Sequence, residues 1–366
     1  MLSNLKVSEL ISVCKDRKIK GYGGKKKSDI IALIEEDINP VKVNPVEVNP
    51  VEDVKLRLVD LFAGTGAFSH VFTKTNNVNV VYANDFVDAS KQIYDANFNH
   101  TLTLGNLNEI NVADIGQHDI LTGGFPCQPF SIAGYREGFN DERSNVFWKI
   151  LEIVDYYNPK CILLENVKNL LTHDGGKTFK TILENLEGRN YHVKYKVLNT
   201  SKITNIPHHR ERIYIVCFKS LELFNNFNMD FDTVVKKQIT DMLQSEKPDE
   251  KYYYTSKSST WNLVSTNVVK KNTVYQYRRV YVRENKSSEC PTLTANMGTG
   301  GHNVPLIVDD FGIRKLTPRE CFNFQGFPKD YVLPKLSDNK LYKLAGNAVS
   351  IPVIQLLADR IVSLLN

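Results

Sequence analysis

The stretch LVDLFAGTGAF, residues 58–68, decides the fold. Its apolar start predicts a buried strand, and Gly64 and Gly66 predict a tight turn into a following helix. At the carboxyl edge of a sheet, glycines let backbone N–H groups approach a ligand closely. A lone Gly-x-Gly turn is weak evidence, because many sheets use one only to reverse the chain. The segment therefore predicts a ligand-binding edge that neighbouring segments must support.

Short apolar runs alternate with helical patterns around this stretch. The runs predicted as buried strands are residues 56–61, 78–83, 119–121, 161–164 and 213–218. Helical patterns fall between most of them, as at 88–98 and 146–156. This alternation predicts an open parallel α/β sheet. It fails from about 219 to 315, and residues 342–366 return to an amphipathic helical pattern.

Composition excludes several classes of protein. The chain has 366 residues, of which 42% are hydrophobic and 24% charged, so it is not disordered, collagen-like or disulfide-stapled. The longest apolar run, residues 213–218, is far shorter than the roughly 18 residues of a membrane span. The start of the chain lacks the pattern of a secretory leader. We therefore expect an intracellular protein (cytoplasmic, or nuclear in a eukaryotic host) with no membrane partner.

The six cysteines lie far apart and none has CxxC spacing, so we expect neither a zinc site nor a disulfide framework. The metal prediction is accordingly none. Only Cys127 has a neighbourhood that suggests reactivity.

The first thirty residues carry the whole net charge of +5, with eight lysines and arginines against three acids. Helical patterns at 5–18 and 28–37 flank a glycine-rich turn that holds Lys25, Lys26 and Lys27. Over about residues 3–38 this pattern resembles the SAP-type DNA-binding module, which implies that the three lysines contact DNA. A generic helical hairpin with a solvated basic surface is the alternative.

An Asn-Pro-Val repeat follows at residues 39–54. A proline every five residues forbids a helix and favours extended backbone. We therefore predict a semi-rigid linker that tethers the N-terminal module.

A carboxylate and an aromatic ring follow the second predicted strand. Asp85 lies nineteen residues past Gly66, where it could accept hydrogen bonds from ribose hydroxyls, and Phe86 could stack on an adenine. The third glycine of the dinucleotide fingerprint is missing, which favours S-adenosylmethionine over a nicotinamide dinucleotide.

Three further strand ends supply reactive side chains. The segment GGFPCQPFS, residues 123–131, holds Cys127 between glycines and prolines, and Glu165 follows the strand at 161–164. Arg210 and Arg212 precede the strand at 213–218. Each group alone is weak evidence, but a thiol, a carboxylate and a guanidinium at one sheet edge form a catalytic constellation.

These segments resemble the DNA (cytosine-5) methyltransferases. The blocks DLFAGTGAF, GGFPCQPFS, ENV, RERIYIV, LTPRECFNFQGFP and LAGNAVSIPVI occur in that family's order, over roughly residues 55–366. The resemblance implies an α/β fold: an S-adenosylmethionine-dependent methyltransferase (Rossmann-like) sheet, a smaller target-recognition domain and the small helical N-terminal module. The implied domains are 1–38 (SAP-like module), 39–54 (linker), 55–218 (catalytic), 219–335 (target recognition) and 336–366 (return to the catalytic domain).

The resemblance also assigns roles to residues. Cys127 is implied as the nucleophile, Glu165 as the partner of cytosine N3, and Arg212 as an orienting cation. The implied cofactor-binding residues are Phe62, Ala63, Gly64, Thr65, Gly66, Asp85, Phe86, Asn106, Leu107, Pro126, Val146, Asn347 and Ala348. The DNA-binding residues predicted beside the three lysines are Gln128, Ser131, Arg143, Arg210, Tyr277, Arg279 and Thr292.

The family's chemistry explains these residue types. A thiolate adds to carbon 6 of cytosine and makes carbon 5 nucleophilic, while a carboxylic acid at N3 balances the electron flow. The base must flip out of the duplex to be reached. Three positions depart from the usual pattern, since Asn106 stands where an Asp is common, His208 where a Gln is common and Ser144 where a Gly is common; none removes a catalytic group.

The segment 274–283 alternates polar and aromatic residues, which predicts one strand with Tyr275, Tyr277, Arg279, Tyr281 and Arg283 on a DNA-reading face. A half-buried strand with packed tyrosines is the alternative.

Two other functions stay open at this stage: a tRNA cytosine-5 methyltransferase, and a catalytically silent DNA-binding protein, which intact Cys127, Glu165 and Arg212 disfavour. We expect double-stranded DNA as the partner and a monomeric protein; whether a cognate restriction endonuclease accompanies it is open.

Overall fold

The computed structural model describes residues 2, 5–38, 55–75, 77–126, 146–299 and 304–366. The chain divides into two compact units, residues 1–54 and 55–366. The first unit contains helices α1 (Val7–Asp16) and α2 (Lys27–Ile38). The two predicted helices are thus present, within two residues of their predicted bounds. The predicted linker, 39–54, lies outside the described residues.

The first unit has a small apolar core. Leu10 and Cys14 of α1 pack against Ile30 and Ile34 of α2, and all four are buried. The amphipathic spacing of these residues is therefore what pairs the helices.

A seven-stranded sheet forms the centre of the second unit. Its strands are β1 (Leu56–Leu61), β2 (Val78–Asp85), β3 (Thr103–Leu104), β4 (Ile120–Gly124), β5 (Cys161–Val167), β6 (His192–Asn199) and β7 (Glu211–Phe218). Their order across the sheet is β3-β2-β1-β4-β5-β7-β6. All pairings are parallel except those of β7, which is antiparallel to both β5 and β6.

The predicted open parallel sheet is thus confirmed over β3-β2-β1-β4-β5, and β7 departs from it by running antiparallel to both of its neighbours. Only eleven residues separate Asn199 from Glu211. A parallel crossover needs a dozen or more residues and usually a full helix, so this connection returns the chain antiparallel. The sequence reading also missed β3 and β6, because β3 has two residues and β6 alternates polar with apolar ones.

Helices cover both faces of the sheet, so the unit has three layers. The helices described in this unit are α3 (Ala67–Thr73), α4 (Asp88–Asp95), α5 (Val146–Tyr157), α6 (Lys177–Glu187), α7 (Thr200–Ile203), α8 (Leu221–Asn226), α9 (Trp261–Asn267), α10 (Pro318–Phe324), α11 (Asp338–Asn347) and α12 (Ile351–Leu365). Of these, α9 packs against the second sheet described below. Leu58 of β1 packs in one apolar cluster with residues of α3 and α12, while Val59 packs in another with residues of α5 and α6. Period-two alternation of a strand produces this division.

A second, four-stranded sheet lies within residues 275–315. It consists of β8 (Tyr275–Tyr277), β9 (Val282–Glu284), β10 (Leu306–Val308) and β11 (Ile313–Lys315), in the order β11-β10-β8-β9. The single strand predicted over 274–283 is therefore wrong. The chain reverses between β8 and β9, where Arg279 adopts φ 62°, a left-handed conformation that strands do not use.

Residues Asp338–Leu365 are long and apolar enough to span a membrane by length and composition, but half of that stretch is buried in the protein. It comprises two helices, α11 and α12, and Ile354 and Leu357 of α12 lie in the core. We therefore interpret the stretch as core helices.

Candidate active site

A cavity of about 810 Å³ opens at the carboxyl ends of β1, β2, β4 and β5. It brings together most of the residues that the sequence predicted for cofactor and catalysis. Those that line it are Phe62, Ala63, Gly64, Thr65, Asp85, Phe86, Asn106, Leu107, Pro126, Val146, Glu165, Arg212, Asn347 and Ala348. The order of the strands places their ends side by side, as expected for a sheet of this kind.

The glycine turn after β1 is fastened to Asp85. Gly64, at φ 55°, donates its N–H to Asp85 Oδ2 at 2.9 Å, and the N–H of Val87 donates to Oδ1 at 2.8 Å. Asp85 is only 8% exposed, and burial raises the pKa of its carboxyl although the two N–H groups oppose that rise. The carboxylate thus fixes the turn and still lies on the cavity wall.

Gly66 has a different role from the predicted one, because it is not among the residues that line the cavity. A Cβ at this position would lie 2.3 Å from the Phe98 ring and 2.9 Å from that of Tyr94. Its φ of 66° also favours glycine. Gly66 therefore allows the turn to pack against the aromatic pair behind the cavity.

The far side of the cavity has the features of a nucleoside site. The Phe86 side chain is 71% exposed, which leaves its ring free to stack on a flat ligand. Asn106 accepts a hydrogen bond from the N–H of Asn108 and so caps a short helical turn that begins at Leu107. An acidic residue, an exposed ring and a polar turn together suit an adenosine group.

Glu165 lies at the end of β5, deep in the same cavity. Its Oε1 is 3.2 Å from Nε of Arg212, and its side chain is 9% exposed. Burial raises the pKa of the Glu165 carboxyl, while the charges of Arg212 and Arg210 oppose the rise. Oε1 accepts no hydrogen bond from the described part of the chain. The carboxyl group can therefore hold a proton and face a ligand.

Arg210 was predicted to contact DNA, and the structure places its side chain elsewhere. It is 2% exposed and donates to three backbone carbonyls, those of Leu293, Gly346 and Ala348. Burial lowers the pKa of its guanidinium to about 9, which leaves it charged at neutral pH. This arginine is a structural centre, because a guanidinium has five donors in a fixed fork.

His208, two residues earlier, is buried as well. Burial lowers its pKa well below the usual value, so the ring is neutral. Nδ1 then donates to the carbonyl of Phe324 at 3.0 Å, and Nε2 accepts from the N–H of Leu293 at 3.3 Å. His208, which stands where a Gln is common, therefore still supplies one hydrogen-bond donor and one acceptor.

Cys127 lies outside the described residues, as do Gln128, Ser131 and Arg143. The remaining cysteines are all buried: Cys14, Cys161, Cys217, Cys290 and Cys321. Burial raises the pKa of the last four thiols, which suits inert core residues and not thiolates.

The other residues predicted to contact DNA are exposed or partly exposed, and two of them use their hydroxyl groups in hydrogen bonds within the protein. The hydroxyl of Tyr277 donates to the carbonyl of Arg279, and that of Thr292 to the carbonyl of His209. Lys25, Lys26 and Lys27 are exposed around the start of α2. Their DNA contacts remain predictions.

Sequence reasoning missed Lys340 and Lys343, which line the cavity from α11. They lie seven and four residues before Asn347, a helical spacing that puts all three on one face and could have identified them. It also missed Tyr331, whose hydroxyl donates to the carbonyl of Thr65 at 2.7 Å and supports the glycine turn from behind.

Comparison with known proteins gives a family. The model of the C-5 cytosine-specific DNA methylases matches residues 56–363. The chain belongs to this family. It is 48% identical to the Type II methyltransferase M.Bsp6I of Bacillus sp. (strain RFL6) over 309 residues, 84% of this chain and 98% of that protein. It is 37% identical to the Type II methyltransferase M.SsoII of Shigella sonnei, over 86% of this chain and 82% of that protein.

Solved structures share the fold. The Dnmt2 methyltransferase of S. pombe aligns with a TM-score of 0.65 at 20% identity, covering 85% of this chain and 99% of that one. The methyltransferase EhMeth of Entamoeba histolytica aligns with a TM-score of 0.67 at 19% identity, over 85% and 99% of the two chains. These likenesses confirm the predicted methyltransferase fold.

The chain is therefore an enzyme, a cytosine-5 methyltransferase of the Type II kind, and its cofactor is S-adenosylmethionine. The cavity fits that cofactor, since Asp85 and Phe86 suit the ribose and adenine, and Lys340 and Lys343 bring positive charge to the same wall. Neither the tRNA enzyme nor the silent DNA-binding protein is favoured, and the relatives are bacterial, which gives a nuclear location no support. Among the described residues, no cluster of three or more potential ligands could hold a metal ion.

The pocket yields a prediction for Asp85→Ala. Removing the carboxylate should weaken S-adenosylmethionine binding by about 1.5–3 kcal/mol, the worth of hydrogen bonds to a charged group. Asp85→Asn should lose less, because its amide oxygen still accepts one backbone N–H. Calorimetry on the two variants measures this, with thermal unfolding as the control for folding; unchanged affinity in both would mean that the ribose is held elsewhere.

Proposed function

We propose that this enzyme methylates carbon 5 of a flipped-out cytosine in a specific short duplex DNA sequence, through a covalent adduct with Cys127. The observation that carries the proposal is the Glu165 carboxyl, buried beside Arg212 in the cavity that also holds Asp85 and Phe86. One cavity thus offers a proton-bearing group for a base and a wall for the cofactor.

Glu165 supplies the proton at N3. A carboxyl whose pKa is raised by burial is protonated more readily near neutral pH, so it can donate a hydrogen bond to N3. As the ring gains electrons, the proton moves toward N3 and the carboxylate left behind is stabilised by Arg212, 3.2 Å away. Arg212 in turn is held by the bond from its Nη1 to the carbonyl of Glu211 at 2.8 Å.

Cys127 supplies the nucleophile. Its thiolate adds to carbon 6, and carbon 5 then becomes the nucleophilic centre of an enamine. S-adenosylmethionine supplies the methyl group. Carbon 5 takes the methyl group while the C–S electron pair stays with the departing S-adenosylhomocysteine. A base then removes the proton from carbon 5, the double bond between carbon 5 and carbon 6 re-forms as the Cys127 thiolate leaves, and the N3 proton returns to Glu165. The cytosine must leave the base stack to reach Glu165, since this carboxyl lies inside a cavity.

The covalent step is tested with Cys127→Ser. We expect loss of methyl transfer with S-adenosylmethionine and DNA binding retained, whereas replacing each of the five other cysteines by Ala should leave methyl transfer in place. Duplex DNA with 5-fluorocytosine at the target should trap a denaturation-resistant adduct with the wild-type enzyme, because fluorine does not leave as a proton does. An active enzyme that forms no such adduct would contradict the covalent mechanism.

We also propose that the N-terminal unit is a SAP-like, largely sequence-independent DNA grip. Its support is the paired helices with a four-residue apolar core, the lysines between them, and the concentration of the net charge in residues 1–30. A tethered grip raises the effective concentration of DNA near the second unit.

Deleting residues 1–53 tests this grip. Each phosphate contact on duplex DNA contributes about −0.9 to the slope of log affinity against log salt. If Lys25, Lys26, Lys27 and one further basic residue make four such contacts, the deletion should flatten the slope by roughly 3–4. Long DNA should lose more affinity than an oligonucleotide that only spans the target, while single-turnover methylation at saturating DNA and the target sequence stay unchanged. An unchanged salt slope would make the unit something other than a DNA grip.

A further inference from the structure

A second cavity of about 780 Å³ lies on residues of the target region, and nothing in the catalytic mechanism uses it. We call it the basic groove. The residues that line it are Lys202, His209, Lys236, Gln276, Arg278, Arg283, Asn285, Ser287, Glu289, Pro291 and Thr292. Four of these side chains are lysine or arginine, and one is acidic.

The positive charge of the basic groove is largely uncompensated. Its one carboxylate, Glu289, is already engaged by Lys236 at 2.7 Å and approached by His209 at 3.4 Å. Lys202 and Arg283 have no ion-pair partner in the part of the chain that the structure describes, and neither has Arg278. Such a groove attracts a polyanion.

The hairpin β8–β9 presents its polar face to the groove. Gln276 pairs with Arg283 across the two strands, and both line the groove. Tyr275 and Tyr277 alternate with Gln276, and they pack in the apolar cluster of the second sheet, where Tyr275 is fully buried. Of the predicted reading residues, Tyr275 and Tyr277 are therefore packed in the apolar cluster, whereas Arg283 lies beside Gln276 on the groove side.

Arg278 is oriented within this face. Its Nη2 donates to Oε1 of Gln276 at 3.0 Å. That bond fixes one edge of the guanidinium and leaves its other donors available. A positioned arginine that can bond through two N–H groups matches O6 and N7 of guanine in the major groove, which is wide enough for a two-stranded ribbon.

The basic groove and the catalytic cavity are lined by adjacent residues of the chain. Cys290 donates its N–H to the carbonyl of Pro207 at 2.7 Å, and His209 donates its N–H to the carbonyl of Cys290 at 2.8 Å. His209 lines the groove, while Arg210 lines the catalytic cavity. A duplex seated in the groove therefore lies next to the site where its cytosine would react.

We propose that the outer face of the β8–β9 hairpin reads the target duplex, with Arg278, held by Gln276, as the determinant for a guanine beside the methylated cytosine. Arg283 and Lys202 bind the DNA backbone. The inference rests on the proposed function and replaces Tyr277 and Arg279 as base readers: Tyr277 packs inward, and Arg279 lies in the turn and does not line the groove.

The test compares Arg278→Ala and Arg278→Lys with Arg279→Ala and with Lys286→Ala, an exposed lysine in the neighbouring turn that does not line the groove. Each enzyme methylates a library of duplexes randomised around one cytosine, and bisulfite sequencing gives the preference at every position. S-adenosylmethionine affinity, measured by calorimetry, controls for folding.

Both Arg278 variants should relax the preference for guanine at a single position by about tenfold or more. Lysine should not restore it, because an ammonium lacks the guanidinium fork. Gln276→Leu should relax the same position in part. Arg279→Ala and Lys286→Ala should keep the wild-type preference.

Two results would overturn the inference, and a third would overturn the proposed function on which it rests. If the Arg278 variants keep the wild-type base preference but methylate every sequence more weakly, Arg278 contacts phosphate and does not read a base. If only Arg279→Ala relaxes the preference, bases are read by the residues predicted from sequence, Tyr277 and Arg279. A wild-type enzyme that methylates no library member would overturn the proposed function itself. Failure of the proposed function is therefore distinguishable from failure of the inference about Arg278.

Discussion

The buried guanidinium of Arg210 is the interaction on which the arrangement of the site depends. It donates to the carbonyls of Leu293, between β9 and β10, and of Gly346 and Ala348, at the carboxyl end of α11 beside the cavity. Gly346 must be glycine for this, because a Cβ there would lie 2.3 Å from the backbone of Thr294. The segment around Leu293, the end of α11 and the start of β7 are therefore held in one frame by this side chain.

The charge of Arg210 also acts on the carboxyl of Glu165, the group that we propose donates the proton to cytosine N3. Two effects oppose each other at Glu165: burial raises its pKa and favours the protonated form, while the charges of Arg212 and Arg210 favour the ionised form. Arg210 directs its Nη1 and Nη2 donors to carbonyls, and among the residues that the structure describes only Arg212 forms a direct ion pair with Glu165. This balance leaves a carboxyl group that can both give and regain a proton, as chemistry at cytosine N3 requires.

Strand ends and glycine turns could be predicted from sequence, because their chemistry is local. Asp85, Phe86 and Glu165 follow apolar runs, and the edge where they meet follows from parallel pairing. The roles of Arg210 and Gly66 could not be predicted, since each depends on residues distant in sequence that close around it. Sequence likewise could not show which face of the hairpin is free, because alternation defines two faces and only the packing of Tyr275 shows which one is buried.

Arg210 ties the segment around Leu293 to the carboxyl end of α11, and hydrogen–deuterium exchange of the Arg210→Met variant tests this link most directly. Leu293 and Ala348 have amides that are bonded in the wild-type protein, to His208 and Leu344. The account predicts at least about tenfold faster exchange in peptides covering both 290–297 and 344–351, with β5 unchanged, because local opening frees amides near a lost contact. Faster exchange confined to the residues around position 210, with both peptides as protected as in the wild type, would contradict it.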